Sequence, residues 1–178
     1  MNPEGGVGGG PKAPIYYRDA NLQDLQYGKA IKSGLGTLKK YEPSPVRIQF
    51  PKLKAIEITD RVISFEISRD SRGFTFFHEL ESRNKAKGPR PLGGRKLFNS
   101  INDPRNNETN IIIEMKLNQD TLYFREDNYQ ISRSDLEDKL ADGRFVCIAS
   151  SPGLWSTEKS YGNTWNVEQI KVFPNKVR

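Results

Sequence analysis

His78 is the single histidine and Cys147 the single cysteine in 178 residues. A Ser-His-Asp or Cys-His pair would have to use His78, which sits in FTFFHELE with no nucleophile elbow beside it. A Cys/His zinc site needs several such ligands and is excluded. One cysteine forms no intrachain disulfide, which fits a reducing compartment. In RFVCIAS it reads as a small core hydrophobe, and His78 as a surface or half-buried residue. Metal-dependent hydrolysis needs converging carboxylates, and Asp60, Asp70, Asp120 and Asp127 show no spacing that picks out a set. The GGVGGG run has neither a strand before it nor a helix after it, so it reads as a flexible tail rather than a phosphate loop. These observations predict no enzyme, no metal and no cofactor.

The sequence is rich instead in cations and rings. Lys and Arg number 28 against 22 Asp and Glu, for a net charge of +6, beside nine Phe, seven Tyr and two Trp. The charge is segregated: +5 over residues 1–54, −3 over 55–82, +6 over 83–105, −5 over 106–142 and +3 over 143–178. Clustered positive charge is the footprint of a polyanion partner. Where rings stand beside the cations, phosphates can be tracked while exposed bases stack. The segment 15–41 offers Tyr16, Tyr17, Arg18, Lys29, Lys32, Lys39 and Lys40. The central basic run offers Lys85, Lys87, Arg90, Arg95 and Lys96. Near the C-terminus stand Trp155, Lys159 and Tyr161. Trp155, Tyr161, Tyr16 and Tyr17 have turns and polar residues as neighbours, which makes them the leading stacking rings. Duplex recognition is disfavoured, because there is no helix-turn-helix, zinc finger or long basic helix to enter a groove.

These residues need a scaffold. Residues 1–14 read as a disordered Gly/Pro-rich arm, and 15–178 as a single nucleic-acid-binding domain. Glycines at 28, 34 and 36 prevent a long helix in 15–41, which reads as an extended lead-in. In VRIQF, Val46, Ile48 and Phe50 alternate with polar residues as in a half-buried strand, and Pro51 should end it. Val62 to Ile67 and Gly73 to Phe77 are further strand-like runs. A long basic loop over about 83–110 follows, of a length that binding would explain. NIIIEMKLN and TLYFRED read as a hairpin turning at 118–120. Residues 134–141 form an acidic helix capped by Ser132 or Ser134 and stopped by Gly143, and it should face away from nucleic acid. In TWNVEQIKVF the alternation breaks near Glu168-Gln169, which predicts a bulge. The sum is about seven strands and one short helix. The predicted fold is mainly β, an OB-like open β-barrel.

Three stretches carry a resemblance: YGKAIKSGLGTLKKY, VRIQFPKLKA and GLWSTEKSYGNTWNVEQIKVFP. Together they resemble OB-fold single-stranded-DNA-binding proteins of viral and phage-type replication systems, those of large DNA viruses in particular. The resemblance implies that the lead-in lysines and the aromatic hairpin contact DNA. It adds Lys52, Lys54 and Trp165 to the candidates, Trp165 with a core role as the alternative. It implies a non-catalytic, largely sequence-independent binder that protects strands during DNA replication or recombination. Many proteins of this functional class end in an acidic tail that recruits replication proteins, whereas this sequence ends PNKVR.

The expected partner is single-stranded DNA, with RNA open, replication proteins as further partners, and self-association through the N-terminal arm. The N-terminus lacks the basic-then-apolar order of a secretory signal, which with the lone cysteine predicts an intracellular protein. The alternative from a different class is a viral structural or assembly protein, a capsid or nucleocapsid component.

Overall fold

The computed structural model describes residues 13–42, 46–88, 96–98 (backbone only) and 103–174. Fourteen strands and two α-helices occur among them, arranged as a nine-stranded and a five-stranded sheet. The fold is mainly β and OB-like, with sheets that stay open rather than closing into a barrel.

The nine-stranded sheet is built around β11 (Gly143–Ser151) and β14 (Asn166–Pro174), which pair antiparallel. Its order is β1 (Ile15–Tyr16), β4 (Val46–Gln49), β11, β14, β8 (Asn110–Lys116), β6 (Val62–Ser68) and β5 (Lys54–Ile58). β9 (Leu122–Phe124) joins the side of β14 and carries β10 (Gln130–Ile131). β11 alternates strictly between buried and half-buried positions, so Phe145, Cys147 and Ala149 face the core. β6 and β8 are instead near-continuous apolar runs, ISF and III, buried on both faces. Beyond β4, Pro51 ends the pairing as expected. The chain then touches β11 once more at the Leu53–Phe145 bridge before crossing to β6 as β5, and this crossing curls the sheet.

The main departure from the sequence reading is α1 (Arg72–Ala86), which covers the run expected as a strand at Gly73 to Phe77. Three phenylalanines in four residues, Phe74 to Phe77, suggest a strand by propensity. Their spacing is helical, however. Gly73, Phe76, Phe77, Leu80 and Asn84 are buried on one face, and the Ser71 hydroxyl caps the start by accepting from Phe74 N at 3.2 Å. The buried face meets Phe50, whose ring lies 5.3 Å from Phe77, 5.8 Å from Phe76 and 5.2 Å from Trp165. The basic loop is consequently shorter than expected, since 83–86 are helix and Asn110 already begins β8.

Three smaller expectations also change. The 118–120 turn does not make a hairpin, because β8 and β9 run in the same direction and each pairs with β14 instead of with the other. The acidic helix shrinks to α2 (Arg133–Glu137), fixed by a reciprocal Ser132–Asp135 capping box. The lead-in is no extended arm but a hairpin, β2 (Gln26–Ser33) with β3 (Gly36–Glu42). The expected bulge in β14 is present: Ile148 pairs with Gln169 and Ala149 with Val167, leaving Glu168 as the extra residue. Most of the Gly/Pro-rich N-terminal arm, residues 1–12, and the basic end at 175–178 lie outside the described residues.

Candidate nucleic-acid interface

The five-stranded sheet runs β2, β3, β12 (Gly153–Ser156), β13 (Ser160–Gly162), β7 (Lys96–Phe98). It unites three segments that are far apart in sequence and were each picked out by charge and rings. The hairpin supplies Lys29, Lys32, Lys39 and Lys40; the C-terminal segment supplies Trp155, Lys159 and Tyr161; the central run supplies Lys96, whose side chain lies outside the described residues. Gly34 (φ +55°) and Leu35 form a two-residue hairpin loop with glycine first, the position that needs positive φ. Gly153 lets β12 close against β3, since a Cβ there would lie 2.2 Å from the Lys39 carbonyl oxygen.

Register assigns the faces. Ile31, Leu38, Trp155 and Gly162 lie directly opposite one another across four strands, so their side chains share one face. Lys40, two residues from Leu38, lies on that face opposite Gly153, and Lys29, two from Ile31, joins it. This outer face is a row of apolar groups, the exposed Ile31 and the half-buried Leu38 and Trp155, flanked by the exposed Lys29 and Lys40. Lys159 is exposed in the β12–β13 turn.

The other face turns inward onto the end of α1. Leu154 and Tyr161 are buried there, Tyr161 to 2% exposure, and a Cβ on Gly88 would sit 2.8 Å from the Tyr161 ring. The Tyr27 and Tyr41 hydroxyls both donate to Asn84 Oδ1, at 2.7 and 2.9 Å. Asn84 Nδ2 donates to Asn163 Oδ1 at 3.0 Å, and Asn163 Nδ2 donates to the Ser151 hydroxyl at 3.3 Å. One buried asparagine thus ties the hairpin to α1 and to the end of β11. Burial pushes the Tyr27 phenol up to about 12 and raises Tyr41 further. Lys39 Nζ donates to the Lys87 carbonyl at 2.9 Å, tying β3 to the last turn of α1, while Lys85 and Lys87 are exposed at that same end.

Two rings expected at the interface are buried instead: Tyr161 packs on Gly88, and Tyr17 (8% exposed) faces the core. Their turn-like sequence neighbours gave no sign of this, because burial there comes from α1. Trp165 (4% exposed) takes its alternative role, in the core cluster of Phe50, Phe76 and Phe77. Other candidates lie away from the small sheet. Tyr16 is in β1 at the far edge of the large sheet, and Arg18 stacks on Tyr16 and Tyr17 in a cleft also lined by Arg72, Thr75 and Glu79 of α1. Lys52 Nζ sits 4.3 Å over the Phe173 ring, and Lys54 Nζ is 3.7 Å from Glu66. Arg90 and Arg95 lie outside the described residues. Ile31 and Leu38 were missed by the sequence reading. They become visible only when the Gly34-Leu35 loop is read as a hairpin and the two strands are set in register.

No protein-family model matches the chain, and no curated protein matches it. Solved structures do. The C-terminally truncated single-stranded DNA-binding protein from bacteriophage Enc34 aligns with a TM-score of 0.50 at 9% identity, over 88% of this chain and 99% of that one. The form without that truncation aligns with a TM-score of 0.51 at 11% identity, over 85% of this chain and 90% of that one. At such identities the likeness is one of fold.

Proposed function

We propose that this chain is a non-catalytic protein that binds single-stranded DNA, with little sequence preference, on the outer face of the five-stranded sheet. The observation that carries the reading is the cross-strand row Ile31–Leu38–Trp155 set between Lys29 and Lys40. Bases that are not stacked in a duplex offer flat apolar faces to such a row, and lysines follow the phosphates. Lys159, Lys85 and Lys87 extend the positive rim. The likeness of fold to a phage single-stranded DNA-binding protein supports the same reading. Its role would be to cover strands exposed during replication or recombination inside a cell. The narrower tie to large DNA viruses rests on the three short sequence stretches alone. No observation favours the capsid or nucleocapsid alternative.

A fluorescence titration tests this, with oligo-dT set against a duplex of equal length at several salt concentrations. The single strand should bind more tightly, and its affinity should fall steeply with salt as counterions are released. Trp155 emission should quench on binding, and Trp155→Ala should weaken binding by roughly 1–3 kcal/mol, the worth of one stacked base. Equal or tighter duplex binding, or affinity indifferent to salt, would defeat the proposal.

A further inference from the structure

Two exposed apolar patches of opposite charge stand at opposite ends of the molecule. The first is the free end of the β2–β3 hairpin. Residues 29–35 are all exposed, so the tip and the adjoining stretch of β2 stand clear of the body on both faces. Leu35 at its tip is 98% exposed, and Ile31 is 46% exposed. The arm, residues 26–42, carries four lysines against one glutamate. The second patch lies around β9, β10 and α2. Tyr129 is 64% exposed and Leu122 41%. Residues 120–142 there carry seven acids against three cations. The loop that presents Tyr129 is held by Arg125, whose guanidinium covers one ring face at 4.7 Å and pairs with Asp127 at 2.7 Å.

β11 fixes the relation between the two. Its first residue, Gly143, hydrogen-bonds Lys139 just after α2, and its last, Ser151, leads into β12 beneath the arm. β9 runs parallel to β14 toward Pro174, which pairs with Gly143, so the Tyr129 loop lies at the α2 end. The nine residues of the strand hold the ends about 26 Å apart, eight steps at about 3.3 Å each. Two complementary patches at opposite ends of one chain make a heterologous contact, which propagates rather than closing on itself.

We propose that the acidic end of one copy receives the hairpin tip of the next, with Leu35 packing on Tyr129 and Leu122 and Lys32 facing the surrounding acids. β2 does not offer its edge for strand pairing between copies, because Lys29, Lys32 and the bulge between Tyr27 and Ala30 blunt it. The occupant is therefore a surface with the charge of the acidic end. The inference rests on the single-strand reading, because a bound strand lines the copies up head to tail. It assigns cooperative coverage to the arm tip, and base stacking to the sheet at the arm's root.

The test compares affinity for two strands. One is about 10 nucleotides long, within the site sizes usual for an OB fold; the other is several times longer. The parent should bind the long strand more tightly per site. Leu35→Ser and Tyr129→Ser should each leave short-strand affinity within about twofold. Each should lower the long-to-short ratio about tenfold or more, as expected when a large apolar group is kept from leaving water. An equal mixture of the two variants should recover part of the ratio on a strand for two copies, since the intact arm of one still fits the intact acidic end of the other. A parent ratio near one, a ratio unchanged in either variant, or no recovery on mixing would overturn the head-to-tail contact. Loss of short-strand binding in the parent would overturn the single-strand reading, and this inference with it.

Discussion

Trp155 and Tyr161 face each other's strands across the β12–β13 turn, yet they do different work. Trp155 pairs with Gly162 in register and looks outward, whereas Tyr161 pairs with Ser156 and looks inward onto Gly88. Period-two alternation places side chains one step apart on opposite faces. The pair therefore separates binding from folding. Tyr161→Ala should destabilise the protein by about 3–5 kcal/mol, the usual cost of deleting a buried aromatic. Urea denaturation measures this, and the affinity of the fraction that remains folded should be close to that of the parent. Trp155→Ala, at a half-buried ring, should lower the urea midpoint less than Tyr161→Ala does, while single-strand affinity of the folded protein falls. Should both substitutions lower affinity equally in folded protein, the assignment of faces is wrong. The same logic separates the lysines. Lys40 is exposed on the outer face, whereas Lys39 serves the α1 terminus through the Lys87 carbonyl.

The element that makes the interface possible is α1, through Asn84. Its amide holds two tyrosines of the hairpin and Asn163 beyond β13. Asn84→Leu would keep the volume but leave two buried phenols and one buried amide without that partner, at about 1–3 kcal/mol for each buried group left unsatisfied. The expected result is a loss of several kcal/mol in chemical denaturation, with hydrogen exchange accelerated first in β2 and β3. Uniform exchange across both sheets would show that the asparagine is not the tie. This element also marks the limit of what the sequence made legible. Strand alternation in VRIQF, the Pro51 stop, the Glu168 bulge, the Ser132 cap and the burial of Cys147 are all local patterns, and all are found in the structure. The helix at 72–86 was hidden because aromatic content argues for strand, while the 3.6-residue spacing of Phe76, Phe77, Leu80 and Asn84 argues for helix. The small sheet was hidden for another reason. Its five strands come from residues 26–42, 96–98 and 153–162, and no window of sequence shows that pairing. Charge and rings identified most of its members without showing that they share a sheet, or which face each occupies.

Over the whole molecule, three weak acids set the response to alkali: the buried Tyr41 and Cys147, and the half-buried Tyr27, where burial outweighs the pull of the nearby Arg83. Burial raises the Tyr27 phenol to about 12, the Tyr41 phenol further, and the Cys147 thiol to about 12. Unfolded phenols titrate near 10 and thiols near 8.5. Each group therefore holds its proton more tightly when folded. The stability it contributes is fully present below the unfolded value and is lost as pH rises through the folded one. Cys147 begins to lose stability above about pH 8.5 and the tyrosines above about pH 10, each at about 1.4 kcal/mol per pH unit. Urea midpoints should thus hold steady from neutral pH to about 8.5 and fall with growing slope up to about pH 12. Cys147→Ala should remove the onset below pH 10, and Tyr27→Phe should lessen the slope above it. Tyr27→Phe also removes one of the two phenols that donate to Asn84, so its midpoint at neutral pH serves as the reference for that variant. A midpoint that stayed flat beyond pH 11 would mean that these groups are hydrated in the folded state, and that the small sheet is not sealed against α1. The same titration bears on function, because the hairpin that carries Lys29, Lys40 and Leu35 is anchored by the two phenols. Single-strand affinity should therefore fail in the same pH range as the fold of the hairpin.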